Sequence, residues 1–120
     1  PRPLFALPVS SLRYEALGAH FPGSEMSSYI LHIPPAYVSE TVSHEGEEII
    51  FVLEGEIQQT LDGQTFAMTS GDSLHYSGNT PHAWTNPTDR TARILWTGTL
   101  TVLNRKGAIE LPELSHKQNA

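Results

Sequence analysis

At 120 residues the chain is the size of one domain, and it contains no cysteine, which excludes a disulfide framework, a thiolate metal site and a cysteine nucleophile. Thirteen acidic residues against seven basic ones give a net charge of −6, with no basic cluster longer than Arg105-Lys106, so the chain itself is not built to grip phosphate backbones. No stretch approaches the roughly 20 apolar residues of a membrane-spanning helix and no charged-then-apolar leader opens the sequence, so the expected setting is soluble and cytoplasmic, with no membrane partner.

In chain order, Pro1, Pro3 and Pro8 interrupt regular structure at the start, and a first residue that is not methionine fits a piece excised from a longer protein. The first segment that alternates polar and apolar residues is 10–18, a short strand. Residues 20–25 read as a turn. Residues 27–33, SSYILHI, are β-rich and closed by Pro34-Pro35, which cannot donate ladder hydrogen bonds. Further strands are expected at 48–53, 56–61, 64–68, 73–76, 82–86 and 91–103, each bounded by Gly, Pro, Asn or Asp. Asp62-Gly63 favours a tight hairpin because both residues tolerate positive φ, and Glu54-Gly55 is read as the turn of a second hairpin beside it. Strands at this spacing predict an all-β sandwich or barrel. Residues 1–28 are then an N-terminal extension with a short strand, 29–103 the barrel, and 104–120 a polar tail with at most a turn of helix at 111–114.

The stretch 44–55, HEGEEIIFVLEG, sets a histidine and acidic residues immediately before the apolar run 49–53. It reads as a buried strand whose entrance carries metal-type ligands. Without cysteine, any metal must be held by histidine nitrogen and carboxylate oxygen, and the chain has six histidines. His20 and His116 are expected at the surface.

These residues resemble the two motifs of the cupin superfamily, small barrels of the jelly-roll or double-stranded β-helix type. Against the first motif, G(X)5HXH(X)3-4E(X)6G, the chain matches with His44, Glu48 and Gly55. Against the second, G(X)5PXG(X)2H(X)3N, it matches with Gly71, His82 and Asn86. It departs at Ala36, Val42, Ser77 and Asn79, which stand where the motifs have glycine, histidine, proline and glycine. The resemblance covers about residues 29–99 and implies a metal set of His44, Glu48 and His82. Two imidazoles and a carboxylate suit a divalent transition metal (Fe, Mn, Ni, Co or Zn) with positions left open; a metal-free polar pocket made of the same side chains is the alternative.

If His82 and Glu48 face inward, period-2 alternation puts Trp84 and Asn86 on the face of His82, and Ile50 and Val52 on that of Glu48. The ligand-binding candidates are Tyr76, Trp84, Asn86 and His75, with Trp96 as a further wall. Ile49, Phe51 and Leu53 then face outward, an apolar row that a second subunit of a homodimer would cover.

No nucleophilic triad or Gly-rich phosphate loop is present, and no residue is assigned a catalytic role. The strings HEGEEIIFVLEGEI and GDSLHYSGNTPHAWTN are most similar to cupin domains at the carboxyl end of bacterial helix-turn-helix regulators. That resemblance implies a sensor of a small-molecule effector, such as a polyamine, amino acid or sugar derivative. DNA would be contacted only through a separate helix-turn-helix domain absent from this chain. The alternatives are a stand-alone metal-dependent enzyme (dioxygenase, isomerase or lyase) with Tyr76 or His75 as acid/base candidates, and a metabolite-binding protein without turnover.

Overall fold

The computed structural model describes residues 4–6, as backbone, and 12–99. These form β1 (Leu4–Ala6), β2 (Arg13–Ala16), β3 (Met26–Ile33), β4 (Glu47–Glu54), β5 (Glu56–Leu61), β6 (Gln64–Thr69), β7 (Ser73–Ser77), β8 (His82–Thr85) and β9 (Ala92–Thr99), with no helix among them. The larger sheet runs β1-β2-β3-β9-β4-β7 and the smaller β6-β5-β8, and every pairing is antiparallel. This is the all-β, two-sheet architecture expected from the strand spacing, in the jelly-roll form that the cupin resemblance implies.

Alternation decides which side chains meet between the sheets. In β4, Glu48, Ile50 and Val52 are buried while Glu47, Ile49 and Phe51 are exposed; in β9, Ala92, Ile94, Trp96 and Gly98 point inward. Ile57 from β5, Met68 from β6, and Tyr14, Tyr29, Leu31 and Ile33 from β2 and β3 complete the core. Tyr14 and Tyr29 meet edge-on with centroids 5.3 Å apart, and Tyr29 lies 5.7 Å from Trp96, so an aromatic column runs along the inside of the large sheet.

Asp62 (φ 49°) and Gly63 (φ 84°) form the β5–β6 hairpin as their residue types require. The Glu54-Gly55 turn differs from expectation. β4 and β5 do not pair; Gly55 is a corner through which the chain leaves the large sheet for the small one. Gly55 adopts φ 85°, and a Cβ there would stand 2.9 Å from the Ala92 Cα, so the corner is packed too tightly for a side chain. A second difference is β1, which forms between Pro3 and Pro8 by pairing with β2 at the sheet edge, where prolines beside a strand cost no ladder bond. The final strand is seen as Ala92–Thr99; residues 100–103 and the 104–120 tail lie outside the described residues.

Segment 38–46 adds a ragged border to the small sheet. Val38 bridges Thr85, Val42 and His82 exchange two backbone hydrogen bonds of 2.9 Å, and His44 N donates to Gly78 O at 2.8 Å. The two stretches that carry the motif histidines are thereby zipped together.

Candidate metal centre

β4 enters the barrel at Glu47, and its alternation turns Glu48 inward, 3% exposed, opposite the mouth of β8 where His82 begins its strand. His44 stands just before β4. The three side chains offer ligand atoms that all lie within 4.8 Å of one another, and they are the one such group among the described residues. His44 Nε2 is 2.8 Å and His82 Nε2 3.4 Å from Glu48 Oε2, and the two imidazoles meet edge to face with centroids 4.9 Å apart.

The carboxylate is divided between two tasks. Oε1 accepts hydrogen bonds from the Tyr76 hydroxyl at 2.7 Å and from Trp96 Nε1 at 2.8 Å, while Oε2 faces both histidines. Each imidazole is oriented from behind: His82 Nδ1 donates to Thr80 O at 2.7 Å and His44 Nδ1 to Glu45 O at 3.1 Å. A carbonyl only accepts, so Nδ1 carries the proton on both rings and Nε2 is the nitrogen with a lone pair to give when the ring is neutral. Outer partners that fix tautomer and carboxylate orientation are what a metal-ligand set requires, and the donors fit a divalent transition ion.

Burial alone would raise the Glu48 pKa. Hydrogen bonds from His44, His82 and Tyr76, with the charge of His82, outweigh it and hold the carboxyl below the usual carboxylate range. For His82, burial alone would lower the pKa, and the Glu48 carboxylate and the Thr80 carbonyl together raise it instead. Burial, then the neighbouring Glu48 charge and hydrogen bond, pushes the Tyr76 phenol far above its ordinary value. In this geometry the Tyr76 hydroxyl is held as a donor to Glu48.

The other sequence candidates fall in different places. Trp84 is half-buried on the inner side, its Nε1 donating to Gln59 Oε1, and Gln59 is fully buried and close enough to Tyr76 to bear on its ionisation. Asn86 is buried and its amide is taken up by neighbouring groups: Nδ2 donates to Ile33 O (2.9 Å) and Arg90 O (2.8 Å), and Oδ1 accepts from Thr88 N and Thr88 Oγ1. It ties the β8–β9 connection to the end of β3 and does not reach toward the triad. His75 is on the outer face of β7, 2.7 Å from Glu47, on the side opposite Tyr76. His20, expected at the surface, is half-buried against the Ser27 hydroxyl at 3.0 Å, and His116 lies outside the described residues.

Three contributors were not found in the sequence. Gln59 follows Ile57 on the inner face of β5, so period 2 from Ile57 was the available signal. Gly98 lies under the Trp96 indole, where a Cβ would come within 2.7 Å of Cη2; its lack of a side chain lets the indole lie flat enough to reach Glu48. The third is Gly78, behind His44.

The model of cupin domains, Cupin_2, matches residues 29–98. The chain belongs to the Cupin_2 family. This cupin domain is 37% identical over 62 residues to the HTH-type transcriptional regulator PuuR of Escherichia coli K12, covering 52% of the chain and 34% of that protein. It is 36% identical over 55 residues to quercetin 2,3-dioxygenase of Bacillus subtilis 168, covering 46% of the chain and 15% of the enzyme. The chain thus spans about a third or less of the length of these relatives. Among solved structures, the Cupin_2 domain of an XRE family transcriptional regulator from Enterobacter cloacae superposes with a TM-score of 0.67 at 20% identity. That match covers 72% of this chain and 94% of the other, and it bears on the fold.

Proposed function

We propose that this cupin domain is the effector-sensing part of a bacterial transcriptional regulator, with a divalent transition metal held by His44 Nε2, Glu48 Oε2 and His82 Nε2 inside the barrel. The observation that carries the reading is the 37% identity to the regulator PuuR over 62 residues. A bound cation would act as a Lewis acid with open positions for an effector oxygen or nitrogen. The chain's own contribution is orientation. Tyr76 and Trp96 keep Glu48 ionised and fixed, the carbonyls of Thr80 and Glu45 fix the imidazoles, and half-buried Trp84 offers an aromatic wall to a small polar metabolite. DNA contact belongs in this reading to a separate helix-turn-helix domain and the setting is cytoplasmic. The exposed Ile49 and Phe51 on the outer face are where a second copy packs.

The second reading is a metal-dependent enzyme, favoured by the match to quercetin 2,3-dioxygenase. One experiment separates them. The purified protein is assayed for bound metal, titrated calorimetrically with polyamines, amino acids and sugar derivatives, and followed with an oxygen electrode. Saturable binding without turnover supports sensing. Oxygen consumption with stoichiometric iron or manganese overturns it in favour of the enzyme.

A further inference from the structure

Gly78 sits in the turn between β7 and β8, directly behind the His44 imidazole. A Cβ placed on it would stand 2.5 Å from His44 Nδ1, 2.7 Å from Cε1 and 2.7 Å from the His44 carbonyl oxygen. All three are far inside carbon–heavy-atom contact distance. Neither backbone is free to retreat, because His44 N donates to Gly78 O at 2.8 Å and Gly78 N to Gly46 O at 2.7 Å, clamping the turn to the segment that carries the ligand. The threatened atom, Nδ1, is also the one whose bond to Glu45 O turns Nε2 toward Glu48. The family motif has its glycine one residue later, where this chain has Asn79, so the close approach is made by a residue that the motif spacing does not point to.

We propose that Gly78 is the positioning residue for His44: the missing side chain is what lets the ring stand with Nε2 on Glu48, and any larger residue there swings it out of the ligand set. The proposal rests on the reading of His44, Glu48 and His82 as a metal site, but its first consequence concerns ring position in the metal-free protein. In Gly78→Ala the ring must rotate away from Nδ1 contact or the backbone clamp must open. In both cases His44 is lost as a ligand while His82 and Glu48, held by Thr80, Tyr76 and Trp96, stay in place.

The test compares the unmodified chain with Gly78→Ala, His44→Ala, the double variant and Asn79→Ala as a control in the same turn. In the metal-free protein, histidine side-chain 15N NMR is expected to show the His44 resonances displaced in Gly78→Ala and those of His82 retained. In manganese(II) and cobalt(II) titrations, Gly78→Ala is expected to lose at least about tenfold in affinity, as for loss of a partner that orients a ligand. The double variant then binds no more weakly than His44→Ala, and Asn79→Ala binds normally. If Gly78→Ala is too unstable to titrate, its penalty in melting temperature must shrink in the His44→Ala background, where the ring is gone. Unmoved His44 resonances, additive losses in the double variant, or an equal melting penalty in both backgrounds overturns the proposal. An unmodified chain that binds neither ion, with His44 still displaced by Gly78→Ala, refutes the metal site and leaves the positioning role standing.

Discussion

Glu47 and Glu48 are consecutive residues of β4, and each lies against a histidine at almost the same distance: 2.7 Å from Glu47 to His75 and 2.8 Å from Glu48 to His44. Their surroundings differ completely. The outer pair is 62% and 60% exposed and shares its charge with water, so a contact of this kind contributes at most about 1 kcal/mol. The inner carboxylate is 3% exposed and receives an indole, a phenol and two imidazoles. The lesson is that contact does not make a site; burial raises what each contact is worth and sets how much is lost when one is removed.

The sharpest way to break the comparison is to delete each carboxylate in the metal-free protein. Glu48→Ala strands the Tyr76 and Trp96 donors and is expected to cost about 3–5 kcal/mol in urea unfolding, against less than about 1 kcal/mol for Glu47→Ala. Equal losses would remove the distinction between the faces. The histidines give a parallel contrast in metal uptake. His82→Ala is expected to weaken binding by at least about 100-fold with the β-type circular dichroism retained, whereas His75→Ala leaves it unchanged. A His82→Ala protein that still holds metal stoichiometrically would rule out the triad.

Smaller effects sharpen the picture of how Glu48 is held. Trp96→Phe keeps the aromatic column but removes the Nε1 donor, and is expected to cost about 1.5–3 kcal/mol, the range for hydrogen bonds to charged groups. A cost below about 0.5 kcal/mol would leave orientation to Tyr76 alone. The pH response follows from His82. Its raised pKa means that the metal-free protein gains stability from the His82–Glu48 pair that is fully present below the ordinary histidine value. That stability is lost as pH rises through the folded one. Metal must displace that proton, so affinity runs the opposite way. It falls by up to about tenfold per pH unit on acidification, from a higher pH than an unperturbed histidine would set. Calorimetric titrations across neutral pH read this slope, and a flat profile would mean that His82 is not a ligand.

Much of this was legible in the sequence because it follows from local rules. Alternation in EEIIFVLE separates Glu48 from Glu47 without reference to any other segment, whereas the grouping of His82 with His44 and Glu48 came from the resemblance to the cupin motifs, and the three do stand together in the fold. What was not legible depends on contacts between segments. Glu54-Gly55 has the composition of a hairpin turn, and only the packing of Gly55 on Ala92 shows that it is a corner between sheets. Asn86 stood at a motif position, yet its role came from Ile33 and Arg90, whose carbonyls no sequence pattern connects to it. Gly78 and Gly98 matter for atoms they lack, which residue-type reasoning does not count.

The zipper between 38–46 and 78–85 has a kinetic consequence. Glu48 belongs to the large sheet and His82 to the small one, and they meet only through contacts distant in sequence, which loop closure makes slow to form. A cation at the proposed site would therefore find its ligands together only once the two sheets have met. In the proposed reading it would be captured by the finished structure and would join the two sheets from within. Its expected mark on the energy landscape is a slower exit from the native state, with the rate of entry unchanged.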